Sequence, residues 1–192
     1  AVSNCTVQCQ DDACALFGSC RFITVTNSTF STRWSVFRFG GGEAENVAVS
    51  NCVLHQVYGC PIKFHGNQGT RFENMSFSNL IMDRVTGPIS IGVGPRGERI
   101  VQPGATSPPP NPNRRPESTE PAICRNISFS NIHANVIHPE DLPETEFTSH
   151  YNPGEVYSCM ALNGTAGVFE KISFDNVHVT FAGGGMAEQA AV

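Results

Sequence analysis

Met75-Ser76-Phe77-Ser78-Asn79 alternates apolar with small polar side chains and stops on an asparagine. Val47-Ala48-Val49-Ser50-Asn51 does the same. So do Ile23-Thr24-Val25-Thr26-Asn27, Ile127-Ser128-Phe129-Ser130-Asn131, Ile172-Ser173-Phe174-Asp175-Asn176 and the opening Ala1-Val2-Ser3-Asn4. Period-two alternation marks a strand with one face buried. After each Asn the alternation resumes, as in Leu80 and Met82, or Val177, Val179 and Phe181. The closing Asn recurs at 4, 27, 51, 79, 131 and 176, at intervals of 23, 24, 28, 52 and 45 residues. The last two intervals are about double the others, so each holds an extra turn or an insertion.

A strand-only repeat of this length predicts a solenoid, in which stacked turns build the core that no single turn can close. Asparagine suits its corners because it tolerates left-handed backbone and can bond its equivalents above and below. The expected fold is all-β: a right-handed parallel β-helix of about six coils, a rod on the order of 30 Å long at a strand spacing of about 4.8 Å. A β-propeller needs longer blades of four strands than intervals near 24 allow. An alternating α/β fold needs amphipathic helical patterns between the strands, and there are none.

The 192 residues carry a net charge of −5, with 40% hydrophobic and 15% charged residues. That composition makes a core, gives no electrostatic support to nucleic-acid binding, and contains no apolar run long enough for a membrane helix. The eight cysteines form no CxxC pair, which argues against structural zinc. Cys5 and Cys52 read as small core residues, while Cys9, Cys20, Cys60 and Cys124 could form disulfides if the protein is exported. Five Asn-x-Ser/Thr sequons, at Asn4, Asn27, Asn74, Asn126 and Asn163, fit a glycosylated surface. The repeat itself explains at least four of them. No charged leader precedes Ala1, so the chain reads as an interior piece of a longer one. Residues 1–192 are expected to form one β-helix domain, incomplete at both ends. Its rhythm is broken by loops at 94–121 and 138–155, where prolines cluster and cannot enter a ladder. Cut at both ends, such a piece is expected to aggregate or fold poorly.

In stacked coils a residue's neighbour lies one repeat away. Asp11 and Asp12 stand seven and eight residues after Asn4, where the next coil has Trp34 and Ser35, flanked by Arg33 and Arg38. The coil after that supplies Gly59-Cys60-Pro61-Ile62-Lys63-Phe64-His65, and the one after it Gly87-Pro88-Ile89-Ser90-Ile91. One face would then carry two carboxylates, Arg33, Trp34 and Arg38, then Lys63 and His65. Carboxylates do acid–base work on glycosidic bonds, basic groups bind sugar carboxylates, and a Trp ring gives a sugar an apolar platform. Singly, each has an ordinary reading: an acidic turn, solvated surface charges, a strand end. Together they point to a groove for an acidic polysaccharide. His55, His133, His138, His150 and His178 show no ligand spacing, and no metal site or cofactor is expected.

The run Val2-Ser3-Asn4-Cys5-Thr6-Val7-Gln8-Cys9-Gln10-Asp11-Asp12-Ala13-Cys14-Ala15-Leu16 resembles the strand, Asn corner and Gly-Asp-Asp-Cys-Ile-Ala-Ile block of glycoside hydrolase family 28, the polygalacturonases and rhamnogalacturonan hydrolases. Phe39-Gly40-Gly41 resembles the following coil, and Val179-Thr180-Phe181-Ala182-Gly183-Gly184-Gly185 the late coils of bacterial members. The resemblance implies an exported, inverting hydrolase of pectin-like polysaccharide, secreted or periplasmic and a monomer at full length. Asp11 would protonate the leaving oxygen, Asp12 would help activate water, and Lys63 would bind substrate. Three features depart from the family. Its third acid, in an Asn-Thr-Asp motif one coil earlier, would precede Ala1. Its Gly-His-Gly should fall near Thr32 to Ser35, where there is no His. Its Arg-Ile-Lys falls on Pro61-Ile62-Lys63. These departures favour a different uronic or rhamnose-containing linkage, or exo action. A β-helix polysaccharide lyase and a non-catalytic carbohydrate-binding β-helix are the alternatives.

Overall fold

A computed structural model describes residues 1–93, 119–137, 160–164 and 167–181. Thirteen strands run in chain order with no helix among the described residues: β1 (Val2–Ser3), β2 (Thr6–Cys9), β3 (Cys14–Phe17), β4 (Cys20–Thr26), β5 (Thr29–Thr32), β6 (Phe37–Gly40), β7 (Glu43–Val57), β8 (Ile62–Gly66), β9 (Arg71–Val85), β10 (Ile89–Val93), β11 (Ile123–Val136), β12 (Met160–Gly164) and β13 (Phe169–Phe181). Every pairing is parallel. One sheet runs β1-β4-β7-β9-β11-β13, with β2 and β5 continuing it beside β7. The other runs β3-β6-β8-β10-β12. Each coil contributes one rung to each sheet in sequence order. This is a parallel β-helix.

All six closing asparagines have left-handed backbone, with φ between 50° at Asn27 and Asn176 and 55° at Asn4. They form a ladder: Asn79 Nδ2 donates to Asn51 Oδ1 at 3.1 Å, Asn131 to Asn79 at 3.2 Å and Asn176 to Asn131 at 2.8 Å. Two further columns of left-handed corners flank it. One holds Phe22, Asn46, Asn74, Asn126 and Lys171, the other Gln56 and Arg84. Corners therefore recur every five residues along a coil, leaving four-residue arms whose side chains alternate in and out. The sequons at Asn4, Asn27, Asn74 and Asn126 all fall on corners, as the repeat requires.

The long intervals hold insertions, not extra coils. Strand β9 pairs directly with β11, and β11 with β13, bringing Phe77, Phe129 and Phe174 into one column. The inserted chain, 94–118 and 138–155, lies outside the described residues; 119–121 carries no strand. Cys159, His138, His150 and the 183–185 glycines also lie outside them.

The inward positions form one core. Phe37, Phe39, Phe64, Phe72, Phe77 and Phe129 are buried and interlock, with Phe39 stacked on Phe64 (centroids 4.5 Å apart) and Phe77 on Phe129 (5.1 Å). The seven described cysteines are free thiols. Cys60 and Cys124 are buried, and burial pushes both up to about 12. Cys52 is a core residue as expected, whereas Cys5, in the first coil, is exposed.

Candidate functional site

The acidic pair sits on the turn between β2 and β3. Cys9 pairs with Thr32 and Cys14 with Phe37, so the turn keeps a 23-residue offset to the next coil. Asp11 therefore lies over Trp34 and Asp12 over Ser35. The Ser35 N–H donates to Asp12 Oδ1 at 3.1 Å, and the Ala13 N–H to the Ser35 carbonyl at 2.9 Å. Within the turn, the Asp12 N–H donates to Asp11 Oδ1 at 2.8 Å. Thr32 Oγ1 donates to the Asp11 carbonyl at 2.5 Å and accepts the Trp34 N–H at 3.2 Å. One buried hydroxyl thus ties the acidic turn to the turn stacked on it.

The two acids differ in environment. Asp11 is exposed, while the Asp12 side chain keeps only 10% of its surface. Burial pushes the Asp12 carboxyl above its ordinary range. The Ser35 N–H and the Arg38 guanidinium work against that shift, and Asp11 adds to it.

Strand β6 places Arg38 facing outward between the buried Phe37 and Phe39. Its Nε is 4.0 Å from Asp12 Oδ2. Across the ladder, Arg38 pairs in register with Lys63 of β8, and Lys63 with Ser90 of β10. Burial lowers the Arg38 guanidinium, offset by the Asp12 charge, and Nη1 is buried without a hydrogen-bond partner. The Lys63 ammonium lies 5.2 Å from the centroid of the Trp34 ring. His65 stands two residues further along, exposed, beside Gly40 and Gly92.

Arg33 turns to the coil above. Its guanidinium lies 4.5 Å from the Tyr58 ring centroid, with Nε and Nη1 buried and unbonded. Arg33 is thus half-buried and Arg38 largely buried; neither is freely solvated. Gly59 permits this stacking: its N–H donates to the Trp34 carbonyl at 3.0 Å, and a Cβ there would lie 2.8 Å from that oxygen.

No family model, curated protein or solved structure matches this chain.

The structure brings together Asp12, Arg38 and Lys63 as one chain of charges, with Trp34 against Lys63 and Asp11 at the rim. Arg33 and His65 flank that group. Sequence reasoning missed the supporting residues Thr32, Tyr58 and Gly59. Thr32 was accessible through the 23-residue offset from Cys9. Tyr58 and Gly59 carried no signal, because what they touch depends on how the next coil's turn closes. Among the described residues, no group of three or more His, Cys, Asp or Glu could hold a metal ion. His133 and His178 pair in register and stack at 5.1 Å on the outward face of β11 and β13.

Proposed function

We propose that this β-helix is an inverting glycoside hydrolase, exported from the cell, that acts on a pectin-like, uronate-containing polysaccharide. The observation that carries this reading is the Asp12–Arg38–Lys63 row. Two cations directly opposite each other on neighbouring strands repel. Arg38 carries the further cost of a buried N–H without an acceptor. An anionic sugar seated beside Arg38 supplies that acceptor. The Trp34 ring beside Lys63 offers that sugar an apolar face.

In this reading Asp11 and Asp12 divide the acid–base work next to the bound acid group. The resemblance gives Asp11 the proton for the leaving oxygen and Asp12 a share in activating water. No Asn-Thr-Asp occurs in the 192 residues, so the test rests on Asp11 and Asp12. Polygalacturonate is incubated with wild type, Asp11→Asn and Asp12→Asn, and product anomers are followed by NMR. The expected result is an inverted product from wild type and a loss of at least 100-fold in either variant, the scale of a lost acid–base group. Undiminished turnover in both variants would sink the assignment. An unsaturated, ultraviolet-absorbing product that disappears with EDTA would make the protein a lyase.

A further inference from the structure

Arg38 faces two ways. On one side its Nε lies 4.0 Å from Asp12 Oδ2; on the other it stands in register with Lys63. Both partners of the Asp12–Arg38 pair are largely buried, at 10% and 17% of side-chain surface, so water screens their attraction only weakly. Arg38 Nη1 is buried with no acceptor. An orphaned buried donor beside these charged groups calls for an acceptor.

We propose that Arg38 is a positioning residue that couples occupancy of the basic row to the charge on Asp12. Arg38 favours the ionised form of Asp12 against the burial that opposes it. An acidic sugar seated against Arg38 and Lys63 draws the guanidinium charge onto itself, and Asp12 then takes up a proton more readily.

Among the described residues, few groups bear on this pair. Asp12 faces Asp11 within its own turn, and the Ser35 N–H and Arg38 on the next coil. Arg38 faces Asp12 on one side, and Lys63 and Cys60 on the other. The Cys60 thiol, pushed up to about 12 by burial, stays neutral and does not compete. Burial and Asp11 both disfavour charge on Asp12; the Ser35 N–H and Arg38 oppose them. Only the guanidinium of these two can be drawn off by a ligand. What this coupling does for hydrolysis rests on the function proposed above. The coupling itself does not.

The test is a carbon-13 NMR titration of the Asp12 carboxyl in wild type, Arg38→Gln and Arg38→Lys, with and without saturating galacturonate. The neutral methyl ester of galacturonate serves as the matched control. In Arg38→Gln the Asp12 midpoint rises by on the order of 1 pH unit, the scale of a lost opposite charge at this range. Arg38→Lys restores most of it. Galacturonate raises the wild-type midpoint, the methyl ester does not, and Arg38→Gln gives no further response to galacturonate. A midpoint unmoved by Arg38→Gln, or unmoved by galacturonate in wild type, overturns the proposal. If Arg38→Gln does not fold, the wild-type comparison of acid and ester decides alone. A responsive midpoint in protein that hydrolyses no uronate would refute the proposed function and leave the coupling standing.

Discussion

At the scale of the residue, Asp12 is held by opposing forces. Burial favours the neutral acid, while the Ser35 N–H and Arg38 favour the carboxylate. Burial outweighs them, so the folded-state value lies above the ordinary one. The sign follows. The protonated acid fits the fold better, so its contribution is complete below the unfolded-state value and is lost as pH rises through the folded-state value. Asp12→Asn mimics the protonated acid. Its melting temperature is expected to match wild type in acid and to exceed it increasingly as pH rises toward neutrality. A difference that stays constant with pH would contradict this account. Gly59 makes a second case. A methyl group there meets the Trp34 carbonyl oxygen at 2.8 Å. Gly59→Ala is therefore expected to cost about 1–3 kcal/mol, the usual range for overpacking, measured by urea denaturation. The acids and bases at the site were legible in the sequence as residue types. Their burial was not, because it depends on side chains 23 or more residues away.

At the scale of the element, the corners define the coil. Asn79 occupies the middle of its ladder, bonded to Asn51 below and Asn131 above. Asn79→Ala loses both bonds and forces Ala into left-handed backbone, an expected cost of about 1–3 kcal/mol. Asn79→Gly keeps the backbone and loses only the bonds, so it should be the milder change. Equal losses in the two variants would mean that backbone conformation contributes nothing at this corner. Phe22 is the reverse case. It holds φ 56° with 79% of its surface exposed, in a column where three coils have Asn. Phe22→Asn should relieve that strain and raise stability by about 1 kcal/mol, checked by thermal melting. The Asn at the end of each alternating segment announced one corner column. The other columns were harder to see: Phe22, Lys171, Gln56 and Arg84 break the residue pattern while keeping the backbone one.

At the scale of the whole molecule, stability comes from one continuous core shared by all the coils. Phe77 lies at its centre, stacked on Phe129 and edge-on to Phe39 and Phe64. Phe77→Ala is expected to cost about 3–5 kcal/mol, since its neighbours on adjacent strands cannot collapse into the space. The terminal coils are a different matter. Phe17 and Phe22 are 53% and 79% exposed in the first two coils, and Phe174 and Phe181 are 39% and 38% exposed on β13. Expressed as these 192 residues alone, the chain should elute above its 20.7 kDa monomer mass and bind a hydrophobic dye. A monodisperse monomer by light scattering would refute that expectation.

The fold class, the six coils, one column of corners and the 23-residue offset that sets Asp11 over Trp34 and Asp12 over Ser35 are all legible in the order of residues. These follow from alternation and Asn chemistry, which act within a few residues of chain and repeat. The folded molecule was needed to show that the long intervals are insertions, that Arg38 and Lys63 stand side by side, and that Arg33 lies against Tyr58. It also decided that Asp12 is buried against Arg38 while Asp11 is exposed. A coil's strands specify where the next coil lies, but its turns leave side-chain direction open until the coils above and below are in place.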